Sequence, residues 1–192
     1  MKHACLLLAL LLSVTGVAAG ESPLPGDSLY QLKVELTGQD GTRVRLDELR
    51  GRPVLISMFY ASCGGICPAI AFNMRRIQAA LAHGQREVLR PVMVSFDPAH
   101  DDLAALAEFA RLNHGDAAPW IVARTPEGSV RDLAAALGVR YKELPDGSFS
   151  HSTVIAVLDA DGVVRARTSS LSEIDPEFLR ILKETTAAAD RP

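Results

Sequence analysis

The run from Pro53 to Phe59 is apolar almost without a break. A strand wetted on one face alternates apolar and polar residues, so an unbroken run belongs to a strand covered on both faces. Pro91 to Phe96 is a second run of this kind. Between the two, Ile70, Met74, Ile77 and Leu81 recur at helical spacing behind Pro68. That spacing predicts a helix from Pro68 to Leu81, closed by His83-Gly84. Two buried strands joined through a helix make a parallel crossover unit, which commits the chain to the α/β class.

The flanking segments complete the pattern. Leu32-Val34-Leu36 and Val44-Leu46 alternate with polar residues on either side of Gln39-Asp40-Gly41 and predict a β-hairpin. Asp47 to Arg50 reads as a short turn ending at Gly51. After Phe96 come an amphipathic helix from Leu103 to Leu112, a short strand at Trp120-Ile121-Val122, and a helix from Val130 to Leu137 stopped by Gly138. Thr153 to Leu158 and Val163 to Thr168 pair over Asp159-Ala160-Asp161-Gly162, and a last helix starts at Asp175-Pro176. The predicted order is hairpin, β, α, β, α, β, α, β, β, α. This is a thioredoxin-like fold with an N-terminal β-hairpin extension and a C-terminal hairpin plus helix.

Residues 1–20 carry Lys2 and His3, an apolar run from Ala4 to Leu12, and small residues at Ala18, Ala19 and Gly20. A charged start, a short apolar middle and a small-residue cleavage site are the layout of a secretory signal peptide. The run is short for a bilayer span, which needs about 20 predominantly apolar residues; an uncleaved anchor is the alternative. Cys5 stands at the start of the apolar run, not at its end, and leaves with the leader. Cutting the 20-residue leader from the 192-residue chain leaves 172, one domain over residues 21–192. The leader holds one Lys and no acid, so 19 basic and 23 acidic residues remain, a net charge of −4. No polybasic stretch recruits nucleic acid or an anionic membrane surface.

Two cysteines remain, Cys63 and Cys67, in Phe59-Tyr60-Ala61-Ser62-Cys63-Gly64-Gly65-Ile66-Cys67-Pro68. A disulfide here would enclose a very small loop and contribute less than one closing a long loop. A chemical role, redox or metal, fits the spacing better than a staple. The pair lies between a buried strand and a helix N-terminus. Paired glycines there allow tight loop conformations and close backbone approach, and Pro68 starts the helix without losing a hydrogen bond. The helix dipole is expected to favour a thiolate at Cys67. Two thiolates and an imidazole suit copper, including Cu(I), and also accommodate zinc.

Five histidines are candidates for the third donor. His3 leaves with the leader. His83 and His114 each precede a glycine near a predicted helix end, where an imidazolium meets the helix C-terminus favourably. His100, in Asp97-Pro98-Ala99-His100-Asp101, reads as a solvated loop residue. His151 directly precedes the strand Thr153 to Leu158, and in a thioredoxin-like sheet that loop lies beside the cysteine motif. Cys63, Cys67 and His151 are therefore the predicted metal ligands, and Cys63 with Cys67 the predicted redox-active pair.

Taken together, Val54-Leu55-Ile56, Phe59-Tyr60, Cys63 and Cys67-Pro68, then Val94-Ser95-Phe96-Asp97-Pro98, then Ser150-His151-Ser152-Thr153, resemble the SCO/SenC family of copper chaperones. The order matches over essentially the whole segment after the leader, and the Cys-x3-Cys-Pro plus distant His-Ser combination is the specific part. The resemblance implies a membrane-facing, periplasmic or otherwise exported thioredoxin fold binding Cu(I) or Cu(II) through Cys63, Cys67 and His151. It further implies work on the dinuclear copper site of cytochrome c oxidase, by delivering copper or by reducing that site's cysteines. The implied partners are the copper-receiving oxidase subunit or another copper protein, and a thiol reductant. The family often has Pro-Asp where this chain has Gly64-Gly65, which removes a negative charge beside the motif.

The competing reading is a thiol–disulfide oxidoreductase or peroxiredoxin-like enzyme using Cys63 and Cys67. Redox thioredoxins usually space their cysteines by two residues, whereas this chain uses three. They also carry a proline facing the motif, where this chain has Ser150-His151-Ser152-Thr153. A domain with an inert disulfide leaves the placement of His151 unexplained.

Overall fold

A computed structural model describes residues 22–114 and 120–189. The expected leader lies outside them. In chain order the strands and helices are β1 (Glu35–Gly38), β2 (Arg43–Arg45), β3 (Val54–Phe59), α1 (Ile66–Ala79), α2 (His83–Val88), β4 (Arg90–Ser95), α3 (Leu103–His114), β5 (Ile121–Arg124), α4 (Glu127–Leu137), β6 (Tyr141–Glu143), β7 (Phe149–His151), β8 (Ile155–Leu158), β9 (Val164–Thr168) and α5 (Pro176–Ala189). Seven strands form one sheet in the order β2-β1-β5-β4-β3-β8-β9, while β6 and β7 pair only with each other.

The two apolar runs occupy the middle of that sheet. β3 pairs in parallel with β4, and β4 in parallel with β5. β8 flanks β3 from the other side, antiparallel. Every residue of β3 is buried, as a strand covered on both faces requires. The N-terminal hairpin extends the far edge, where β1 pairs antiparallel with β5. α1 buries Cys67, Ile70, Ala71, Met74 and Ile77. α4 stops at Gly138, which takes the left-handed conformation (φ 79°) as a helix C-cap. α5 opens on Pro176 while Asp175 Oδ1 accepts the N–H groups of Glu177 and Phe178 at 3.0 and 3.2 Å, an N-cap with proline at the first helical position.

Three local expectations need correction. Leu32 and Leu46 lie in 3-10 turns, Leu29–Leu32 and Leu46–Leu49, and not in the hairpin strands. The first turn is capped by Ser28 Oγ and closed by Lys33 in the left-handed region (φ 49°), which swings the chain before β1 begins. Its Tyr30 is buried so close to Gly162 that a Cβ there would meet the ring at 2.7 Å. Second, His83 and Gly84 open a helix instead of closing one. Gln85 Oε1 reaches back to accept the Ala82 N–H at 3.1 Å and starts α2. The dipole argument for His83 fails with it, and His83 instead meets Glu87 on the exposed face of α2 at 3.6 Å. Third, His151 does not sit in a plain loop before the next strand: it ends β7, in a small sheet of its own.

Candidate metal centre

The site lies at the C-terminal end of β3, where the backbone continues the β3–β4 ladder with Phe96 N–H donating to Phe59 O at 2.9 Å. Open α/β sheets place their sites at such carboxyl ends. Beyond Phe59 the chain turns, Cys63 N–H donating to Tyr60 O at 3.2 Å, and α1 begins with Gly65 as N-cap. Cys67 is thereby in the first turn of α1, fully buried, and Cys63 stands just outside it, 9% exposed. The Cys67 N–H, one of the unpaired donors at a helix start, points at Cys63 Sγ at 3.4 Å.

Both cysteines are free thiols in the structure. Burial works against a thiolate at Cys63, but hydrogen bonds from the Cys67 thiol, from the Cys67 and Gly65 N–H groups and from the Tyr60 side chain outweigh it and hold the Cys63 thiol below its ordinary value. At Cys67, burial pushes the thiol up, and its hydrogen bond to Cys63 pushes the same way. The expectation of a dipole-favoured thiolate at Cys67 is therefore corrected. The helix start stabilises charge on Cys63, because Cys63 receives its N–H groups while Cys67 lies in the dry interior.

The glycine expectation is corrected as well. A Cβ at Gly64 or Gly65 would meet nothing within 4 Å, so neither position is glycine for want of space.

His151 reaches the cysteines from the other side. Its Nε2 lies 3.6 Å from Cys67 Sγ. Its Nδ1 lies 3.2 Å from Ser152 O, a contact in which Nδ1–H donates and Nε2 keeps a lone pair facing the sulfurs. One donor atom each from Cys63, Cys67 and His151 falls within a 4.8 Å group, the one such cluster of ligand-type side chains among the described residues. With bonds of about 2.0–2.3 Å from S and N, three ligands spread around one ion stand about 3.6–4.0 Å apart. The three donors, none farther than 4.8 Å from another, therefore fit one ion after a contraction of up to about 1 Å.

The imidazole is placed by packing. Its ring centroid lies 5.0 Å from that of Phe96 and 6.1 Å, edge-on, from that of Tyr60. Phe149 packs on both of those rings, at 5.2 and 5.3 Å, and Tyr141 stacks on Phe96 at 5.3 Å. Sequence reasoning found the imidazole but missed this aromatic cluster and the hairpin that supplies half of it. The signal is present: Tyr141 and Glu143, then Pro145-Asp146-Gly147, then Phe149 and His151, alternate about a turn. It also missed Asp101, a buried carboxylate whose Oδ2 accepts the Ala61 N–H at 2.9 Å, two residues before Cys63.

Two of the other histidines, set aside on sequence grounds, stand apart from these three residues. His100 is exposed and pairs with Asp97, Nδ1 to Oδ1 at 2.8 Å. His83 lies on α2, exposed beside Glu87. No helix among the described residues is long and apolar enough to cross a membrane.

Comparison with known proteins agrees with this architecture. The sequence profile described as SCO1/SenC matches residues 25–186. An SCO2-like protein of Rickettsia conorii is 29% identical over 156 residues, covering 74% of each chain. A candidate copper-binding protein of Stutzerimonas stutzeri is 25% identical over 187 residues, covering 91% of this chain and 90% of that one. Among solved structures, copper-bound ScoI of Bradyrhizobium japonicum superposes with a TM-score of 0.67 at 22% identity, over 79% of this chain and 96% of that one. With a family profile spanning the sheet, the cysteine motif and His151, the chain belongs to the SCO1/SenC family.

Proposed function

We propose that this protein is an exported copper chaperone that holds one copper ion, its cargo, through Cys63, Cys67 and His151. The observation that carries the reading is the convergence of two thiols from a strand–helix junction and one imidazole from a separate hairpin, within 4.8 Å. Soft sulfur ligands with one nitrogen suit copper. Copper is also named for the Bradyrhizobium structure and the Stutzerimonas relative. In this reading residues 1–20 are a cleaved leader and residues 21–192 the folded domain. The recipient is the dinuclear copper site of cytochrome c oxidase, served by delivery of copper or by reduction of its cysteines. Tyr60, Phe96 and Phe149 keep the imidazole aimed, and Ser152 O holds Nδ1–H so that Nε2 stays free to bind.

A thiol–disulfide exchange role for the same two cysteines has one observation of its own: Cys63 is held toward the thiolate while Cys67 lies behind it. Loading reduced protein with copper and recording absorption and EPR spectra separates the two. Thiolate-to-copper charge transfer at one copper per chain supports the chaperone. A protein that binds no copper yet reduces the recipient's disulfide supports exchange alone.

A further inference from the structure

The loop that carries Cys63 is tied at one point to the segment following β4. Asp101, 2% exposed, places its Oδ2 between two donors. Ala61 N–H donates to it at 2.9 Å and Ser95 Oγ at 2.5 Å. Ser95 Oγ in turn accepts the Asp97 N–H at 2.9 Å, and Asp101 N–H donates to Asp97 O at 3.0 Å. Residues 95–101 thus fold into a closed turn whose product is one carboxylate oxygen aimed at the backbone entering the cysteine motif. A buried carboxylate is costly unless its bonds are made, and here they are made to the end of β4 and to the loop two residues before Cys63.

We infer that Asp101 is a positioning residue for the metal centre, fixing the height of the Cys63 loop over the sheet so that Cys63 Sγ meets the same ion as Cys67 and His151. The inference rests on the copper-chaperone reading above. The geometry explains why one anchor suffices. Cys67 is fixed by its helix and by burial, so the loop from Ala61 to Gly65 is the part of the thiol pair that needs restraint. Ala61, Cys63 and Asp101 also line one groove, so the anchor stands beside the thiol it positions.

The test compares Asp101→Ala, Asp101→Asn and Ser95→Ala with wild type in the reduced protein, using copper(II) chloride as probe. It reads affinity, the copper EPR spectrum and the thiolate-to-copper absorption band. Removing a group bonded directly to a metal ligand typically costs about 10–100-fold in affinity. Asp101 acts one step further out, through the Ala61 N–H, so a loss at the low end, about 10-fold, is expected for Asp101→Ala, together with an altered EPR spectrum. Asp101→Asn offers a carbonyl oxygen to the same two donors and is expected to restore most of the affinity and the wild-type spectrum. In metal-free protein, amide exchange at Ala61 should quicken in Asp101→Ala while the β3 amides stay protected. Wild-type affinity and spectrum in Asp101→Ala would overturn the inference, as would an Asn variant as weak as the Ala variant. If Asp101→Ala does not fold, Ser95→Ala decides, and an unchanged copper spectrum there overturns it. If wild type itself binds no copper, the chaperone reading fails. Faster Ala61 exchange with faster Cys63 alkylation in Asp101→Ala would still uphold the anchor, and unchanged rates would overturn it.

Discussion

The two halves of the candidate metal centre are built with unequal strength. The thiol half sits at the end of a fully buried central strand, with Cys67 sealed in the first turn of a 14-residue helix. The imidazole half rides on two strands of three residues each, hydrogen-bonded to one another and outside the seven-stranded sheet. A lone two-stranded hairpin is marginal in water. What holds this one is aromatic packing beneath it, through Phe149 and Tyr141 on Phe96, and a reciprocal clasp at its base. There Ser152 N–H donates to Arg140 O at 2.8 Å and Arg140 N–H to Ser152 Oγ at 2.9 Å. The two thiols are thus set on a buried frame, and the imidazole on a short, half-exposed element of the kind expected to open first.

The largest expected effect breaks the rigid half. Cys63→Ala or Cys67→Ala should lower copper affinity by more than the roughly 10–100-fold typical of outer-shell partners, with far-ultraviolet circular dichroism unchanged. Oxidation to a Cys63–Cys67 disulfide should do the same, since thiolates coordinate and a disulfide does not. Titrating oxidised and reduced samples side by side checks this, and bound copper should protect both thiols from alkylation.

A second expected outcome sharpens the contrast. Amides of residues 141–151 should exchange with solvent much faster than those of β3 and β4 in metal-free protein. Copper should slow the hairpin while leaving the central strands where they were. Hydrogen-exchange mass spectrometry reads both, and equal protection of hairpin and central sheet without metal would erase the difference between the halves.

Within the pair of thiols a smaller difference is expected. Cys63 is held below the ordinary thiol range by the hydrogen bonds it receives, and Cys67 is raised by burial. The thiolate is the reactive form, so at neutral pH iodoacetamide should label Cys63 first, and its labelling rate should level off at lower pH than that of a free thiol. Peptide mapping after brief alkylation checks the order. Smaller still, Phe149→Ala removes aromatic contacts worth about 0.5–1.5 kcal/mol per pair beyond area burial, and should lower copper affinity modestly while the melting transition of the main sheet barely moves.

Much of this was legible in the sequence, and what was missed has a common cause. The runs in β3 and β4 show as nearly continuous because burial on both faces leaves a single serine in each, Ser57 and Ser95, to interrupt the apolar pattern. Cys63, Cys67 and His151, which the fold brings together, were singled out because thiol and imidazole chemistry is carried by few residue types. The hairpin of β6 and β7 was missed because its strands are half exposed and three residues long, too short for periodicity to speak. His83 was misplaced because glycine next to histidine marks a helix end only if nothing restarts the helix, and Gln85 does so from inside the next turn. The anchoring by Asp101 depends on tertiary contact 40 residues away from Ala61, which no local pattern encodes.

The central claim is that a thiol pair and a distant imidazole share one copper ion. The most direct test is a copper titration of reduced His151→Ala beside wild type, with His83→Ala as control, followed by EPR and by the thiolate-to-copper absorption band. The account predicts one copper per chain in wild type and in His83→Ala, and in His151→Ala a much weaker site whose EPR spectrum has lost its nitrogen coupling. Wild-type affinity and an unchanged spectrum after His151→Ala would contradict it.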